Sequence, residues 1–176
     1  MGYTTDFEGQ VTVEPPLNTA EVTYLRKFNE TRRMKRSKGP YYVGAGGFAG
    51  QDHEDDILDY NQHPEGQPGL WCKWTPTDDG RAIVWDGVEK FYDSEEWMQY
   101  LIDHFLRPGA HASGVDFAEQ FAAFTFNHVV NGVIDAQGER PEDRWRLVVK
   151  DNVVSRIDAV VTFPDVPDPV VEWPAV

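Results

Sequence analysis

The sequence predicts an α+β fold in which a single antiparallel sheet carries two main helices packed on one face. Segments with strand-like alternation follow one another through short turns in the middle and at the C-terminal end of the chain, and two segments with helical periodicity lie between predicted strands. No regular strand–helix–strand alternation is present, and that order favours antiparallel pairing over a parallel sheet.

The predicted sheet has an N-terminal strand, a central hairpin and a C-terminal meander. Its strands are residues 3–13, 70–75, 81–85, 129–136, 145–150 and 153–163. The first of them is read either as one strand or as a hairpin about Gly9, and Pro15-Pro16 ends it. Residues 76–80, with a proline and a glycine, form the turn of the central hairpin.

Asp151-Asn152 is predicted to be the turn between the last two strands. A two-residue loop sets Leu147 opposite Arg156, whereas a three-residue loop with Asn152 in the left-handed region avoids that pairing. The sequence leaves the register open between these two alternatives.

The first helix is predicted from a capping box in which Asn18 is the cap and Glu21 reaches back to it. We expect the helix to run from about Thr19 to Arg33 or Met34, before Gly39-Pro40. Its buried face is marked by Val22, Leu25 and Phe28.

The second helix is predicted to begin in the same way, with Asp93 as the cap and Glu96 as the partner in the capping box. Pro108-Gly109 ends it. A short third helix is predicted over residues 116–122, where Asp116 and Glu119 have the same spacing.

The chain of 176 residues has the length of one domain, which we place at residues 1–163, followed by a proline-rich extended tail at 164–176. The single cysteine, Cys72, excludes an internal disulfide and suits a reducing compartment. No signal peptide and no apolar stretch long enough for a membrane span are recognised, so a cytoplasmic location is expected.

Charge is unevenly distributed along the chain. The net charge is −14, which argues against generic binding to nucleic acid or to an anionic membrane. Residues 26–38 nevertheless hold seven cations and one acid, a net charge of +6, so the rest of the chain carries −20. This cationic segment is the main electrostatic feature of the sequence.

Three segments of the sequence are candidates for a chemical site. Residues 44–50 match the glycine pattern of dinucleotide sites, but the acids that follow would repel a pyrophosphate, which favours a surface loop. The acids between Asp52 and Asp59, with nearby histidines, have no recognised metal-ligand spacing and are better explained as a solvated face. Cys72 lies in a predicted strand, where a buried structural thiol is favoured over a nucleophile.

The cationic segment and the aromatic residues that follow it form the candidate ligand site. Arginines beside aromatic rings are typical of sites for nucleotides and other planar anions. Trp71, Trp74 and Trp85 are better explained as core residues of paired strands. Alternatively, these cations contact the protein's own acidic surface or a second copy of the chain. The predicted ligand-binding residues are Arg32, Arg33, Arg36, Lys38, Tyr41 and Tyr42.

Short motifs along the chain resemble a family of small proteins of bacteriophages, notably those of actinobacteria, and of bacteria that carry similar genes. The motifs are Met1-Gly2-Tyr3-Thr4-Thr5, Pro15-Pro16-Leu17-Asn18, Thr31-Arg32-Arg33-Met34, Gly39-Pro40-Tyr41, Gly66-Gln67-Pro68-Gly69-Leu70-Trp71-Cys72, Trp85-Asp86-Gly87, Glu89-Lys90-Phe91-Tyr92, Glu96-Trp97-Met98, Asn131-Gly132, Ala136-Gln137-Gly138-Glu139 and Asp151-Asn152. The resemblance extends to about residue 156. It implies an intracellular accessory protein, in the host cytoplasm if phage-encoded, and it brings neither an activity nor site residues.

Three functions are therefore considered. The first is a non-enzymatic protein that binds an anionic, nucleotide-like small molecule and needs no cofactor or metal. The second is an acidic interaction module whose partner is a host protein. The third is a metal-assisted hydrolase that uses the acids between Asp52 and Asp59. A homo-oligomer is compatible with each of them, and the sequence favours a binding protein over an enzyme.

Overall fold

The computed structural model describes residues 2–44, 54–163 and 165. Its main element is a six-stranded sheet. The strands of this sheet are β1 (Thr5–Glu14), β4 (Trp74–Pro76), β5 (Ala82–Trp85), β6 (Val129–Gly138), β7 (Arg144–Lys150) and β8 (Val153–Asp158). Their spatial order is β4-β5-β1-β6-β7-β8, and each neighbouring pair is antiparallel. The predicted α+β class and the mostly antiparallel sheet are therefore confirmed.

The prediction of a single sheet is wrong in one detail, because β2 (Lys35–Arg36) and β3 (Ile57–Asp59) form a separate two-stranded sheet. Strands of two and three residues are too short to show the alternation that identifies a strand in a sequence. The predicted proline-rich tail lies outside the described residues, apart from Asp165.

β1 is one continuous strand and lies at the centre of the sheet, so the alternative of a hairpin about Gly9 is wrong. All ten of its residues pair with β6, from Thr5 opposite Gly138 to Glu14 opposite Val129. Gly9 has a φ of +110°, and a Cβ at this position would lie 2.9 Å from the carbonyl oxygen of Val133. A glycine therefore lets the two central strands approach each other closely.

Helix α1 (Thr19–Glu30) begins as predicted. The Glu21 amide donates to Asn18 Oδ1 at 3.0 Å, and the Asn18 amide donates to Glu21 Oε2 at 2.8 Å, which completes the capping box. The helix ends earlier than expected, because Thr31 is extended with φ −99° and ψ 125°. The chain turns there, and this turn places the Arg33 side chain in the interior.

Helix α2 (Ser94–Leu101) begins at the predicted cap residue, but the predicted capping box is wrong. Asp93 has a left-handed backbone with φ 53° and makes no side-chain cap hydrogen bond. The helix continues as one π-helical turn over Ile102–Leu106, ahead of Pro108-Gly109. The predicted third helix is replaced by two 3₁₀ turns, His111–Ser113 and Val115–Phe117, and further turns up to residue 123.

The core lies between the helices and one face of the large sheet. The side chains that alternate inward along β1, β6 and β7 pack against aromatic residues of α1, α2 and the π-helical turn. The opposite face of the sheet carries mostly exposed side chains. The largest core side chains include Phe28, Met34, Trp74, Trp97, Met98, Ile102, Phe105, Ile134 and Leu147.

The turn between β7 and β8 resolves the question of register. Lys150 pairs with Val153, and both Asp151 and Asn152 are left-handed, so the loop has two residues and Leu147 faces Arg156. The expected conflict is avoided because Arg156 lies on an edge strand. Its guanidinium stacks 4.1 Å from the ring centroid of Trp145 and pairs with carboxylates of Glu95 and Asp158.

A buried ion pair joins the start of α1 to the segment before β6. Glu21 and His128 are at most 1% exposed, and Glu21 Oε1 lies 3.2 Å from His128 Nε2. The same oxygen accepts from the amide and the hydroxyl of Thr125, and His128 Nδ1 contacts the carbonyl oxygen of Pro15 at 2.6 Å. Because both imidazole nitrogens face acceptors, the site favours the protonated ring.

Candidate functional site

The predicted ligand-binding residues lie in a part of the molecule with little regular structure, which we call the irregular layer and define as residues 31–44 and 54–73. Its two halves are joined by backbone hydrogen bonds from the Arg33 amide to Leu70 at 2.8 Å and from the Lys35 amide to Gln62 at 2.7 Å. Sites of binding are often built on such loops when a rigid scaffold holds them.

Arg33 is 2% exposed and is held within the layer. Its Nε donates to the carbonyl oxygen of Thr31 at 3.1 Å, its Nη2 donates to the carbonyl oxygen of Tyr42, and its guanidinium lies 4.2 Å from the ring centroid of Phe28. Burial lowers the pKa of Arg33 to about 10. This arginine therefore connects the end of α1 to the segment around Tyr42 and does not face solvent.

Arg36 is also buried and is paired with two acids of the second half of the layer. Its Nη1 donates to Glu54 and to Asp56 Oδ1, the latter at 3.0 Å. Among the described residues, no hydrogen-bond partner is found for the buried atoms Arg36 Nε, Arg36 Nη2 and Asp56 Oδ2. Buried polar atoms normally have partners, so these three require an explanation.

Lys38 and Tyr42 are the predicted site residues that reach a cavity. The ammonium of Lys38 lies 4.6 Å from the ring centroid of Tyr42, and the guanidinium of Arg36 lies 4.9 Å from the same centroid. The cavity is an open depression of the surface with a volume of about 450 Å³. It is lined by Ser37, Lys38, Tyr42, Glu54, Asp55 and Asp56.

The six predicted residues do not converge on one pocket. Arg33, Arg36 and Lys38 all contact Tyr42, whereas the neighbouring Tyr41 is 4% exposed. Tyr41 points towards the helices, where its hydroxyl contacts His104 Nδ1 at 2.6 Å, and burial raises its pKa to about 12. Arg32 is half-buried.

A second polar cluster, which the sequence did not indicate, joins the layer to α2 and the turn after it. Gln67 Nε2 donates to the Pro40 carbonyl oxygen and to the Tyr100 hydroxyl, both at 2.9 Å. The His104 ring is stacked between those of Tyr100, at 3.7 Å, and His111, at 4.3 Å. Burial, together with the neighbouring His111, lowers the pKa of His104 to about 4. The one sign of this cluster in the sequence is that Tyr100 and His104 are four residues apart, a spacing that places them on the same face of a helix.

The remaining candidates have structural roles or lie outside the described residues. In the described part of the acidic stretch, Glu54 and Asp56 pair with Arg36, and no three metal-ligating side chains of the described residues converge. Most of the glycine pattern, residues 45–50, together with Asp52 and His53, lies outside the described residues. Cys72 is buried, as expected, and so is Trp74.

No protein-family model, no curated protein and no solved structure matches this chain. Among the described residues, no helix has both the length and the apolar character required to cross a membrane. The functional argument therefore rests on the geometry of the irregular layer and of the sheet.

Proposed function

We propose that this protein binds a small polar ligand in the cavity beside Lys38 and Tyr42. The observation that carries the proposal is the set of buried polar atoms of Arg36 and Asp56 that have no hydrogen-bond partner among the described residues. Asp56 also lines the cavity. Each such atom costs about 1–3 kcal/mol when unpaired. A ligand that forms hydrogen bonds with these atoms removes this cost and binds more tightly as a result.

The chemistry of the cavity narrows the class of ligand. The charge of Arg36 is already balanced by Glu54 and Asp56, and Arg33 is enclosed. A small free anion such as phosphate would meet one ammonium, that of Lys38, beside three carboxylates. Of the cations expected from the sequence to bind an anion, Lys38 is the one that lines this cavity, so the cavity offers a place for one phosphate group at most.

A planar heterocycle with adjacent donors and acceptors fits these groups. Once the side chains that cover these buried atoms move aside, its N–H groups would donate to the free oxygen of Asp56, and a ring nitrogen or carbonyl oxygen would accept from Arg36. An attached phosphate would lie at Lys38, which is exposed to solvent. We therefore propose the nucleoside and nucleoside monophosphate class, bound without a catalytic step.

Thermal unfolding of the full chain with nucleosides, their monophosphates or inorganic phosphate tests the proposal. A ligand at 100 times its Kd stabilises the folded state by about 2.7 kcal/mol. For a chain of this size, such a gain raises Tm by roughly 5–10 °C. We expect at least one nucleoside to produce a shift of this kind and inorganic phosphate to produce none.

Three variants locate the site. Asp56→Asn should abolish the preference for one base, because it replaces the free acceptor with a donor. Lys38→Gln should remove the advantage of the monophosphate over the nucleoside, and Lys27→Gln, an exposed cation on α1, should change neither. Equal stabilisation by phosphate and nucleotides, or no shift with any of them at millimolar concentration, would refute the proposal.

A further inference from the structure

The outer face of the large sheet, on the side away from the helices, holds a groove that the proposed ligand site does not use. The groove has a volume of about 600 Å³ and crosses β1, β6, β7 and β8. It continues to residues 159–160, which extend beyond β8. It lies among exposed side chains, so it is available to a partner.

A row of four side chains crosses the groove, one from each strand. Glu8 pairs with Asp135, Asp135 with Arg146 and Arg146 with Ile157 in successive cross-strand positions. The middle two neutralise each other, because Arg146 Nε donates to Asp135 Oδ1 at 2.6 Å. The row therefore presents an unpaired carboxylate at one end and an aliphatic side chain at the other.

The adjacent residues repeat this division of the groove. Asp6 lies beside Glu8 on β1, and both are exposed with no ion pair among the described residues. The row that begins at Asp6 continues through Gln137 and the cation Arg144 to Ala159, so it too runs from an acid to an apolar residue. At the other end, Ile157 is 56% and Val160 is 83% exposed. An acidic side and an apolar side thus face one another across the sheet.

The distance between the acidic side and the apolar side of the groove determines how far apart the matching groups of a ligand must lie. Three strand spacings of about 4.8 Å separate β1 from β8, which gives roughly 14 Å. An extended peptide advances about 3.3 Å per residue, so roughly four residues span the groove. An extended peptide therefore reaches both sides with two side chains that lie about four positions apart.

We propose that this groove binds an extended segment of a partner protein. The segment carries a lysine or arginine at Asp6 and Glu8, and an aliphatic residue about four positions away at Ile157 and Val160. Charge complementarity favours such a partner over a second copy of this chain, because two chains with a net charge of −14 repel each other. The same charge disfavours nucleic acid.

Fluorescence polarisation with labelled nine-residue peptides, blocked at both ends, tests the inference on the full chain. The peptides carry one lysine and one leucine separated by two, four or six positions, in both orders, among serine and threonine. We expect the spacing of four to bind most tightly, and replacing its lysine with glutamate to weaken binding at least tenfold.

Matched variants place the peptide on the groove. The double substitution Asp6→Asn with Glu8→Gln should weaken binding of the best peptide about tenfold, and so should Val160→Ser. The controls are Asp116→Asn with Glu119→Gln, and Val115→Ser, which change exposed residues of the same types away from the sheet. They should leave the affinity unchanged.

Affinity that is independent of spacing, or that falls equally in the groove and control variants, overturns the inference. So does a dimer, detected by sedimentation, that Val160→Ser dissociates and Val115→Ser does not. That result would assign the groove to a second copy of the chain.

Discussion

Replacing Glu21 by glutamine is expected to destabilise the protein by about 3–5 kcal/mol near pH 5.5, the range for removing one partner of a buried ion pair. Glu21 is completely buried and accepts from Asn18, Thr125 and His128. A glutamine keeps one acceptor oxygen, but its NH2 group then faces one of these donors. The negative charge beside protonated His128 is also lost.

The pH dependence identifies the cause of this loss. Burial raises the pKa of Glu21, but the hydrogen bonds that Glu21 accepts from His128, Thr125 and Asn18 together outweigh this effect and lower the pKa from its usual value of 4.5. The stability that ionised Glu21 contributes is therefore present above pH 4.5 and is lost as pH falls through the lower pKa that Glu21 has in the folded state. Although burial opposes it, the hydrogen bond to Glu21 raises the pKa of His128 above 6.5. That contribution is complete below pH 6.5 and is lost as pH rises through the folded pKa.

The difference in stability between wild type and Glu21→Gln should therefore be largest between about pH 4.5 and 6.5. Above the folded pKa of His128, this difference should fall to about 1.5–3 kcal/mol, the range for hydrogen bonds to a charged group. Urea unfolding at pH 5.5 and pH 9 measures both values, and NMR titration of His128 reports its pKa directly. Glu65→Gln, at an exposed carboxylate, is the control and should change little.

The prediction is refuted if Glu21→Gln destabilises the protein equally at pH 5.5 and pH 9. It is refuted equally by a His128 titration at or below pH 6.5 in the wild type. Either result would mean that the capping box alone accounts for the role of Glu21.

Two further predictions concern a glycine turn and the cysteine. Gly80→Ala should destabilise the protein by about 1–3 kcal/mol more than Gly87→Ala in urea unfolding, since φ is positive at both positions but an added Cβ lies 2.4 Å from Leu17 O only at Gly80; equal losses would contradict this. Burial raises the pKa of Cys72 to about 12, so its thiol should react with Ellman's reagent at pH 8 only on unfolding. Stoichiometric reaction of the native protein within seconds would contradict that expectation.

The parts of the fold that could be predicted are those governed by neighbours in sequence. The capping box at Asn18 depends on residues three positions apart, and the strands of the meander show their alternation over six or more residues. At Asp93 the same spacing predicted a capping box that does not form, because the left-handed backbone removes the geometry that a side-chain cap requires.

The candidate site was predicted less well because its contacts are distant in sequence. Arg33 and Arg36 belong to a run of cations that would normally face solvent. Arg36 is buried because Glu54 and Asp56, about twenty residues away, neutralise it, and Arg33 is buried because the carbonyl group of Tyr42 accepts from it. The cluster of Gln67, Tyr100 and His104 likewise depends on how the irregular layer packs against α2.

The central position of β1 also has a consequence for how the chain folds during synthesis. Residues 5–14 form the middle of the sheet, but their partners on one side are residues 129–138. The sheet therefore stays divided until most of the chain has left the ribosome, and closing such a long loop slows folding. Until then the apolar side chains of β1 lack half of their packing partners, so aggregation competes with folding while the chain is being made.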